Sequence, residues 1–548
     1  MGINEDGRVI AIMYYLAIYA QGRKLALLLA FLLTSSLLPV WGAVTPSQLV
    51  CEYQTNPLGI SIAQPRLGWQ FTADVGTPRG WLQSAYEIQV ASSASNLANN
   101  VADLWDSGKT QSTQNTFIPY GGTTLNTSQQ VFWRVRVWDQ NGTASAWSAT
   151  AFWTMGLLAP SDWKGSWIMM PTVNGATYPY TASSVTGTTS VPQSVMARKD
   201  FTVNAGLTKA TLTVCGLGCY ECSINGTKVG QSLFPPGWTN YSKTCLYDTY
   251  DVTSMLTTGS NAAGIVLANG MYNEQGERYT RFTTNAFGEK KVIGQLRLEY
   301  SNGTVAFVPT DATWKITSGP LTFSSVYGGE DEDLRLEPIG WNQAGFNAAA
   351  WQTPLVTTGP GGTLKGTSYA SPPVQAFDAY SPVKNTTVGT GIVVYDLGQN
   401  ASFMPKITVH GPAGSYVVIT PAELINGDGT LNLTDGTPSY WRYTLSGATS
   451  ETWMPRFTYR GCRYLQVQGF TAPGGGAVPV LDSIQGILVH SASPAVGTFS
   501  CSNALFNSIH SLIRFAEMSN METYLTDCPQ REKLGWLEEA HLVGPAGP

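Results

Sequence analysis

Apolar and polar residues alternate along most of the chain, with a period of two between about residues 44 and 494. This period predicts half-buried β-strands, and clusters of Gly, Pro, Asn and Asp separate the runs. The sequence Ile224-Asn225-Gly226-Thr227 in addition predicts a hairpin turn. The predicted strands lie at residues 86–90, 131–138, 210–214, 264–267, 392–397 and 416–420.

The pattern changes to a helical one after Val496. Ser502-Asn503 can cap a helix whose one face carries apolar residues at helical spacing. A loop through Pro529 and a short helical stretch from Glu532 to Leu542 are expected to follow. The apolar face of the first helix comprises Leu505, Ile509, Leu512, Ile513 and Ala516.

The loops between these runs divide the chain into domains. Residues 44–157 are typical of an immunoglobulin-like or fibronectin type III-like sandwich. Two further β-rich domains are predicted at 158–345 and 346–494, and residues 495–548 begin a helical region.

The low charge of the chain excludes some classes of protein. Charged residues make up 12% of the 548 residues and the net charge is −5. Phosphate binding needs clustered Lys and Arg, so nucleic acid is not expected as a partner. With 43% hydrophobic residues, disorder of the bulk of the chain is also excluded.

The N-terminal residues 1–43 predict a leader. Arg23-Lys24 precedes an apolar run from Leu25 to Leu38, in the order typical of a secretory signal, with a retained anchor as the alternative. A secreted, extracellular protein without stable membrane association after cleavage is therefore predicted. Eight N-x-[ST] sequons support a glycosylated surface, namely those at Asn126, Asn141, Asn225, Asn240, Asn302, Asn385, Asn400 and Asn432.

No cofactor is predicted. Cys219 and Cys222 form a lone CxxC, without the second pair of a zinc site, so these cysteines are expected to be structural thiols or to form a disulfide. The acidic run 330–333 (EDED) could bind calcium, but a solvated loop is the favoured interpretation because no EF-hand spacing accompanies it. The four His residues are scattered and predict no His-dependent site, and most of the Trp residues are expected in the core.

The highest density of side chains that could act in catalysis or binding lies at residues 527–539 (DCPQREKLGWLEE), which hold four carboxylates, an Arg and a Trp. Hydrolysis of a glycoside needs one carboxylic acid to protonate the leaving oxygen and a second carboxylate to activate water or attack. The alternative is an ordinary charged helix start, in which Glu532 faces the helix dipole and Arg531 and Lys533 are solvated.

This segment resembles the signature of fungal and bacterial α-L-rhamnosidases of glycoside hydrolase family 78, D-x-P-Q-R-E-x-x-G-W. Upstream runs resemble the same family in the same order. They are 53–59, 65–69 and 103–108 for its fibronectin-like domain, 215–220, 224–226 and 236–239 for its jelly-roll, and 395–400, 421–424 and 457–464 for the β-sandwich before its barrel. The resemblance implies a mainly β chain of consecutive sandwich and jelly-roll domains, followed by the first helices of an (α/α)6 barrel.

The resemblance also implies roles for individual residues. Glu532 matches the general acid, while Asp527 and Arg531 match residues that bind the sugar and Trp536 matches an aromatic wall. Glu539 stands where the family usually has Asp, which keeps the charge but adds a methylene. The implied substrate is a terminal α-L-rhamnose on a glycoside or polysaccharide, cleaved with inversion.

The implied barrel is incomplete in this chain. Twelve helices and their links need roughly 200 residues, whereas 52 residues follow Val496. The general base of the family is therefore not expected here, and we expect the isolated chain to be inactive and to expose the apolar face of its first helix. The rival interpretation is a non-catalytic, secreted carbohydrate-binding protein made of the three β-domains.

Overall fold

The structure is a computed structural model. It describes residues 44–73, 79–173, 176–177, 193–274, 278, 287–367, 372–434, 439–495 and 497–543, so the predicted leader lies outside the described residues. Two compact units divide the chain. The first comprises most of residues 44–152, and the second comprises Asn56–Ala63, Thr124–Gln130 and Trp153–Pro548.

The first unit is built from antiparallel strands around buried tryptophans. Trp69 and Trp133 are 1% exposed, which agrees with the expectation that most tryptophans lie in the core. One sheet has the strands Val44–Cys51, Arg66–Ala73 and Ile118–Pro119. The other has, in order, Trp105–Asp106, Gln83–Ala91, Gln130–Asp139 and Ala151–Thr154, with Thr110–Gln111 paired to the second of these. A short helix α1 spans Ala94–Ala98.

The second unit begins with two sheets that enclose an apolar core. Val214, Leu296 and Ile316 are among its buried residues. The five-stranded sheet has the order Thr227–Lys228, Cys219–Ile224, Gly259–Ala268, Ser194–Val203 and Lys315–Ser318. The seven-stranded sheet has the order Leu355–Thr357, Trp167–Met169, Lys291–Tyr300, Leu207–Leu217, Thr244–Asp251 and Thr363–Gly366, with Val305–Pro309 on Lys291–Tyr300.

A ten-stranded sheet follows, and its core centres on Phe403, Trp441 and Leu465. Its strands in order are Leu321–Ser325, Gly329–Asp333, Tyr440–Thr444, Tyr416–Ala422, Arg460–Phe470, Ile392–His410, Val480–Ser491 and Val374–Tyr380, with Lys384–Gly389 and Glu451–Trp453 paired to Ile392–His410. Strands from both sides of residue 345 therefore share one sheet, while the domain boundaries themselves stay a prediction.

Small elements complete the fold. Two-stranded ladders join Thr172–Val173 to Ala176–Thr177 and Leu424–Ile425 to Leu431–Asn432, and single 3-10 turns lie at Pro160–Asp162, Thr253–Met255 and Leu334–Leu336. Helix α2 spans Ala504–Asn520 and helix α3 spans Leu537–Val543. Among the described residues, no helix has both the length and the apolar character needed to cross a membrane.

The strands and the hairpin predicted from the alternating pattern are confirmed. Residues 131–138 lie inside the strand Gln130–Asp139, and the other predicted runs lie inside observed strands as well. In the hairpin, Ile224 pairs with Thr227, and Asn225 and Gly226 have φ values of 50° and 83°. Asn and Gly tolerate this left-handed backbone better than other residues, which is why the Asn-Gly pair marks the turn.

The acidic run 330–333 is not the solvated loop that the sequence favours. It forms the buried strand Gly329–Asp333, on which Glu330 is 0% and Glu332 is 2% exposed. Arg456 donates its backbone N–H to Glu330 (2.7 Å) and its Nε to Glu332 (2.9 Å), and its guanidinium also pairs with Glu221 and Glu337. A half-buried cation thus compensates these acids, and no metal-binding group of His, Cys, Asp or Glu is found in the part of the chain that the structure describes.

Glu330 predicts an unusual pH dependence of stability. Burial and the neighbouring charge of Glu332 raise the pKa of Glu330 to about 8, against the pull of two backbone N–H groups. From about pH 4.5, the pKa of an exposed Glu, to about pH 8, the unfolded chain has lost this proton while the folded chain keeps it. Stability is therefore expected to fall as the pH rises through this window, by at most about 5 kcal/mol from this group.

Thermal unfolding of Glu330→Gln between pH 5 and 8 tests this expectation. The variant should show a flatter dependence of melting temperature on pH than the wild type, whatever its absolute stability. Glu538→Gln, at an exposed position on α3, should keep the slope of the wild type. Equal slopes for all three proteins would contradict the prediction.

Candidate active site

Four of the five predicted site residues lie on one loop, 526–536, between α2 and α3, and the fifth, Glu539, lies in the first turn of α3. Asn503 caps α2 by accepting the N–H of Leu505 (2.9 Å), as the sequence predicts. The predicted helical stretch from Glu532 is wrong in its start, because the helix begins at Leu537. Lys533 has φ 49°, a left-handed conformation that a helix cannot continue through.

Asp527 closes the base of this loop. Its Oδ1 accepts the N–H of Leu534 (3.0 Å), and its own N–H donates to the carbonyl of Leu534 (3.0 Å). Within the loop, the N–H of Glu532 donates to Cys528 Sγ (3.3 Å) and the N–H of Lys533 to the Cys528 carbonyl (3.2 Å). Asp527 and Glu532 are therefore held on the same short, internally bonded turn.

The other predicted residues lie around this turn with different degrees of exposure. Arg531 and Glu532 are half-buried, and Arg531 Nε is buried without a hydrogen-bond partner among the residues that the structure describes. Trp536 is 53% exposed. Glu539 is half-buried in the first turn of α3. A buried, unsatisfied donor is costly, so Arg531 Nε is well placed to bond an acceptor on a ligand.

Lys533 and Glu522 are two buried ionisable residues that sequence reasoning missed. Lys533, expected to be solvated if this were an ordinary helix start, is 1% exposed, and Glu522 is 5% exposed. Burial holds the pKa of Lys533 well below and that of Glu522 well above the usual range, and each group partly offsets the other. No carboxylate oxygen of Glu522 has a hydrogen-bond partner among the described residues, since the nearby Ser402 hydroxyl donates to the Val489 carbonyl (2.5 Å).

Glu522 and Lys533 line a small cavity beneath the loop. Its walls include Trp238, Tyr459 and Tyr524, and the rings of Trp238 and Tyr524 meet edge to face at 5.6 Å. The cavity has a volume of about 60 Å³, far below the ~300 Å³ at which ligand pockets begin. It has room for a few waters and is part of the support of the loop.

Among the described residues, the cysteines and histidines add no further catalytic group to this site. Cys219 lines the cavity as a free thiol, and burial raises the pKa of its thiol to about 12, which makes it a poor nucleophile. All eight cysteines are free thiols. Of the His residues, His410 pairs with Asp482 at the surface (2.9 Å) and His490 stacks on Phe377 (3.9 Å).

Comparison with known proteins shows to which family the chain belongs. Four family models match successive parts of the chain. They are the Rha78A-like N-terminal immunoglobulin domain at residues 46–159, the alpha-L-rhamnosidase N-terminal domain at 205–377, the bacterial alpha-L-rhamnosidase concanavalin-like domain at 386–490 and the bacterial alpha-L-rhamnosidase 6 hairpin glycosidase domain at 494–547. The chain belongs to the α-L-rhamnosidases of glycoside hydrolase family 78. The resemblance carried by the loop motif is thereby confirmed.

Individual α-L-rhamnosidases are similar over nearly the whole chain. An α-L-rhamnosidase of Formosa agariphila is 32% identical over 512 residues, which cover 90% of this chain and 53% of the relative. One of Alteromonas sp. is 33% identical and covers 91% of this chain and 53% of the relative. The chain thus spans about half the length of the curated relatives it matches, and it reaches only the start of the six-hairpin domain.

Solved α-L-rhamnosidase structures share the fold. The enzyme from Dictyoglumus thermophilum has a TM-score of 0.80 at 34% identity, and covers 91% of this chain and 55% of that chain. The Streptomyces avermitilis enzyme complexed with L-rhamnose has a TM-score of 0.81 at 26% identity, and covers 92% and 63%. The expected mainly β architecture with helices beginning near the C-terminus is confirmed.

Proposed function

We propose that this α-L-rhamnosidase homologue hydrolyses terminal, non-reducing α-L-rhamnose from glycosides or polysaccharides by an inverting acid/base mechanism. Glu532 donates the proton to the glycosidic oxygen. Asp527, Arg531, Trp536 and Glu539 bind the sugar around it. The observation that carries this proposal is the loop itself, which holds Asp527 and Glu532 on one bonded turn beside a guanidinium whose buried Nε has no partner among the described residues.

The comparisons support the substrate class in this proposal. One similar enzyme, that of Streptomyces avermitilis, is complexed with L-rhamnose. An inverting enzyme also needs a general base on the far side of a water, with the two carboxyl groups about 6.5–9.5 Å apart. We assign that role to no described residue, and the inactivity of an isolated chain of residues 1–548 stays a prediction.

The stereochemistry of the first product tests the mechanism. The protein made from its full transcript, mixed with an aryl α-L-rhamnoside in D₂O, should release β-L-rhamnose first, followed by slow mutarotation. Proton NMR of the anomeric signals distinguishes this outcome from retention. Initial release of α-L-rhamnose would contradict inversion, and glycan binding without any hydrolysis would favour the carbohydrate-binding alternative.

We further propose that the protein is secreted and N-glycosylated. Six of the sequon asparagines are exposed, namely Asn126, Asn141, Asn240, Asn302, Asn385 and Asn400. Asn225 is not a suitable acceptor, because its side-chain nitrogen donates to the Met255 carbonyl (3.0 Å) and to Asn261 (2.8 Å).

Glycosylation is checked on protein made by its native host. Peptide-N-glycosidase treatment of the protein recovered from the medium should lower its mass, and mass spectrometry should find glycans at several of the six exposed sites. A glycan at Asn225 would contradict the structural argument. Retention of all of the protein inside the cell would contradict secretion.

A further inference from the structure

We propose that Lys533 is a positioning residue, which fixes the loop carrying Glu532 against two segments of the preceding β-domains. This inference rests on the proposed function for the role of Glu532 as general acid, but its structural part does not. Lys533 directly follows Glu532 in the chain, so a constraint on one residue limits the movement of the other.

The side chain of Lys533 joins three distant parts of the chain. Its Nζ donates to the carbonyl of Val326 (2.9 Å) and to the carbonyl of Tyr459 (2.6 Å). The same Nζ lies 4.0 Å from the centre of the Tyr459 ring. Val326 follows the strand Leu321–Ser325, and Tyr459 precedes the strand Arg460–Phe470. One side chain therefore ties the loop to both of these strands.

The two acceptors of Lys533 lie on segments that are themselves fixed. Glu274 accepts the N–H of Val326 (2.8 Å) and the hydroxyl of Ser325 (2.7 Å). Arg460, next to Tyr459, donates to the carbonyl of Tyr327 (3.0 Å). The carbonyls of Val326 and Tyr459 thus belong to one hydrogen-bonded framework, and Lys533 attaches the loop to this framework by hydrogen bonds.

Two further hydrogen bonds hold the loop, at Pro529 and at the backbone of Lys533. The N–H of Gly461 donates to the Pro529 carbonyl (3.0 Å), and the Tyr524 hydroxyl donates to the carbonyl of Lys533 (2.8 Å). Gly461 has no side chain to keep Pro529 away, since a Cβ there would lie 2.6 Å from Pro529 Cγ. Within this arrangement, the side chain of Lys533 bonds to two separate segments of the β-domains.

A purely structural lysine is the alternative. However, burying a charged or polar group costs free energy that a well-packed apolar side chain of similar size does not. If the site needed only to be filled, an apolar residue would serve it better. The two hydrogen bonds at the end of the buried Lys533 side chain instead fix the position of the backbone at residue 533. The free-energy cost of burying the amino group is offset only if function depends on that position.

Position matters for a general acid. The acid must lie within hydrogen-bond reach of the leaving oxygen, and a displacement of about 1 Å can cost about 100-fold in rate. The loss depends on the leaving group. An alkoxide needs the proton from the acid, whereas a 2,4-dinitrophenolate leaves without it. A displaced acid therefore slows cleavage of alkyl rhamnosides selectively, while partial unfolding slows all substrates equally.

This difference gives the test. In the protein made from its full transcript, Lys533→Met should lower kcat on methyl α-L-rhamnoside about 100-fold, and on the 2,4-dinitrophenyl rhamnoside less than about 5-fold. Lys533→Gln keeps an N–H₂ donor and should recover part of the loss. Lys291→Met is the matched control, because Lys291 is also buried and donates to a carbonyl, that of Thr358 (3.1 Å). It should leave both rates within about 2-fold.

Equal losses on the two substrates for the Lys533 variants would overturn the proposal, as would unchanged rates. Hydrogen exchange on the 548-residue chain supplies a measurement that does not depend on activity. Lys533→Met or, if that variant fails to fold, Lys533→Gln should speed amide exchange at residues 527–535 at least 10-fold, with Lys291→Met unchanged. A wild type without hydrolysis would overturn the proposed function, while unchanged exchange would show that Lys533 does not fix the loop.

Discussion

Glu532→Gln is expected to lower kcat on alkyl α-L-rhamnosides about 1,000-fold in the protein made from its full transcript, because Gln keeps the size of the side chain but cannot donate the proton. General acid catalysis typically contributes 10²- to 10⁴-fold. On a 2,4-dinitrophenyl rhamnoside the loss should be small, since this leaving group needs no proton. KM should change little, because the contacts of the backbone at residue 532 stay in place.

The pH dependence of the hydrolysis rate is a second measurement on the same variant. A general acid works only while protonated, so the wild-type rate should fall at high pH, and Glu532→Gln should lack this fall. Glu538→Gln makes the same chemical change six residues away, on the exposed face of α3, and should behave as the wild type. Retention by Glu532→Gln of more than a tenth of the wild-type rate on the alkyl substrate would exclude Glu532 as the acid.

The β-sheet fold could be predicted from the sequence because its signals are local. A strand with one buried face alternates apolar and polar residues, as residues 131–138 do, and the Asn-Gly pair at 225–226 supplies the left-handed turn of a hairpin. The loop motif at 527–536 was recognised by its resemblance to a family. Composition alone favours an ordinary charged helix start at this position.

The buried charges could not be predicted, because their partners are distant in the sequence. Glu330 and Glu332 are compensated by Arg456, more than 120 residues later, and Lys533 donates to carbonyls 207 and 74 residues earlier. A run of acidic residues, or a lysine between Glu and Leu, looks the same in sequence whether solvent or a buried partner faces it. Only the tertiary structure decides between the two.

Helix α2 carries the second large expected effect, which concerns association in solution. Its exposed apolar residues form one group, and their exposed fractions are large: Leu505 63%, Phe506 55%, Ile509 42%, Leu512 72% and Ile513 48%. The exposure predicted from the sequence is thus confirmed. The C-terminal part of the helix contacts the sheet, where Phe515 packs on the core and Ser519 accepts the N–H of Ser402 (3.2 Å).

The isolated 548-residue chain is expected to self-associate through this face and to bind a hydrophobic dye, because burying each such side chain is worth about 1.5–3 kcal/mol. The double variant Leu505→Lys/Leu512→Lys changes two residues seven apart, on the same face of the helix, and should lower both the oligomer fraction and the dye fluorescence several-fold. Leu82→Lys changes an equally exposed leucine (64%) outside α2 and should alter neither. Sedimentation velocity and dye titration measure the two effects, and a wild-type chain that is a monodisperse monomer without dye binding would show that this face does not drive association.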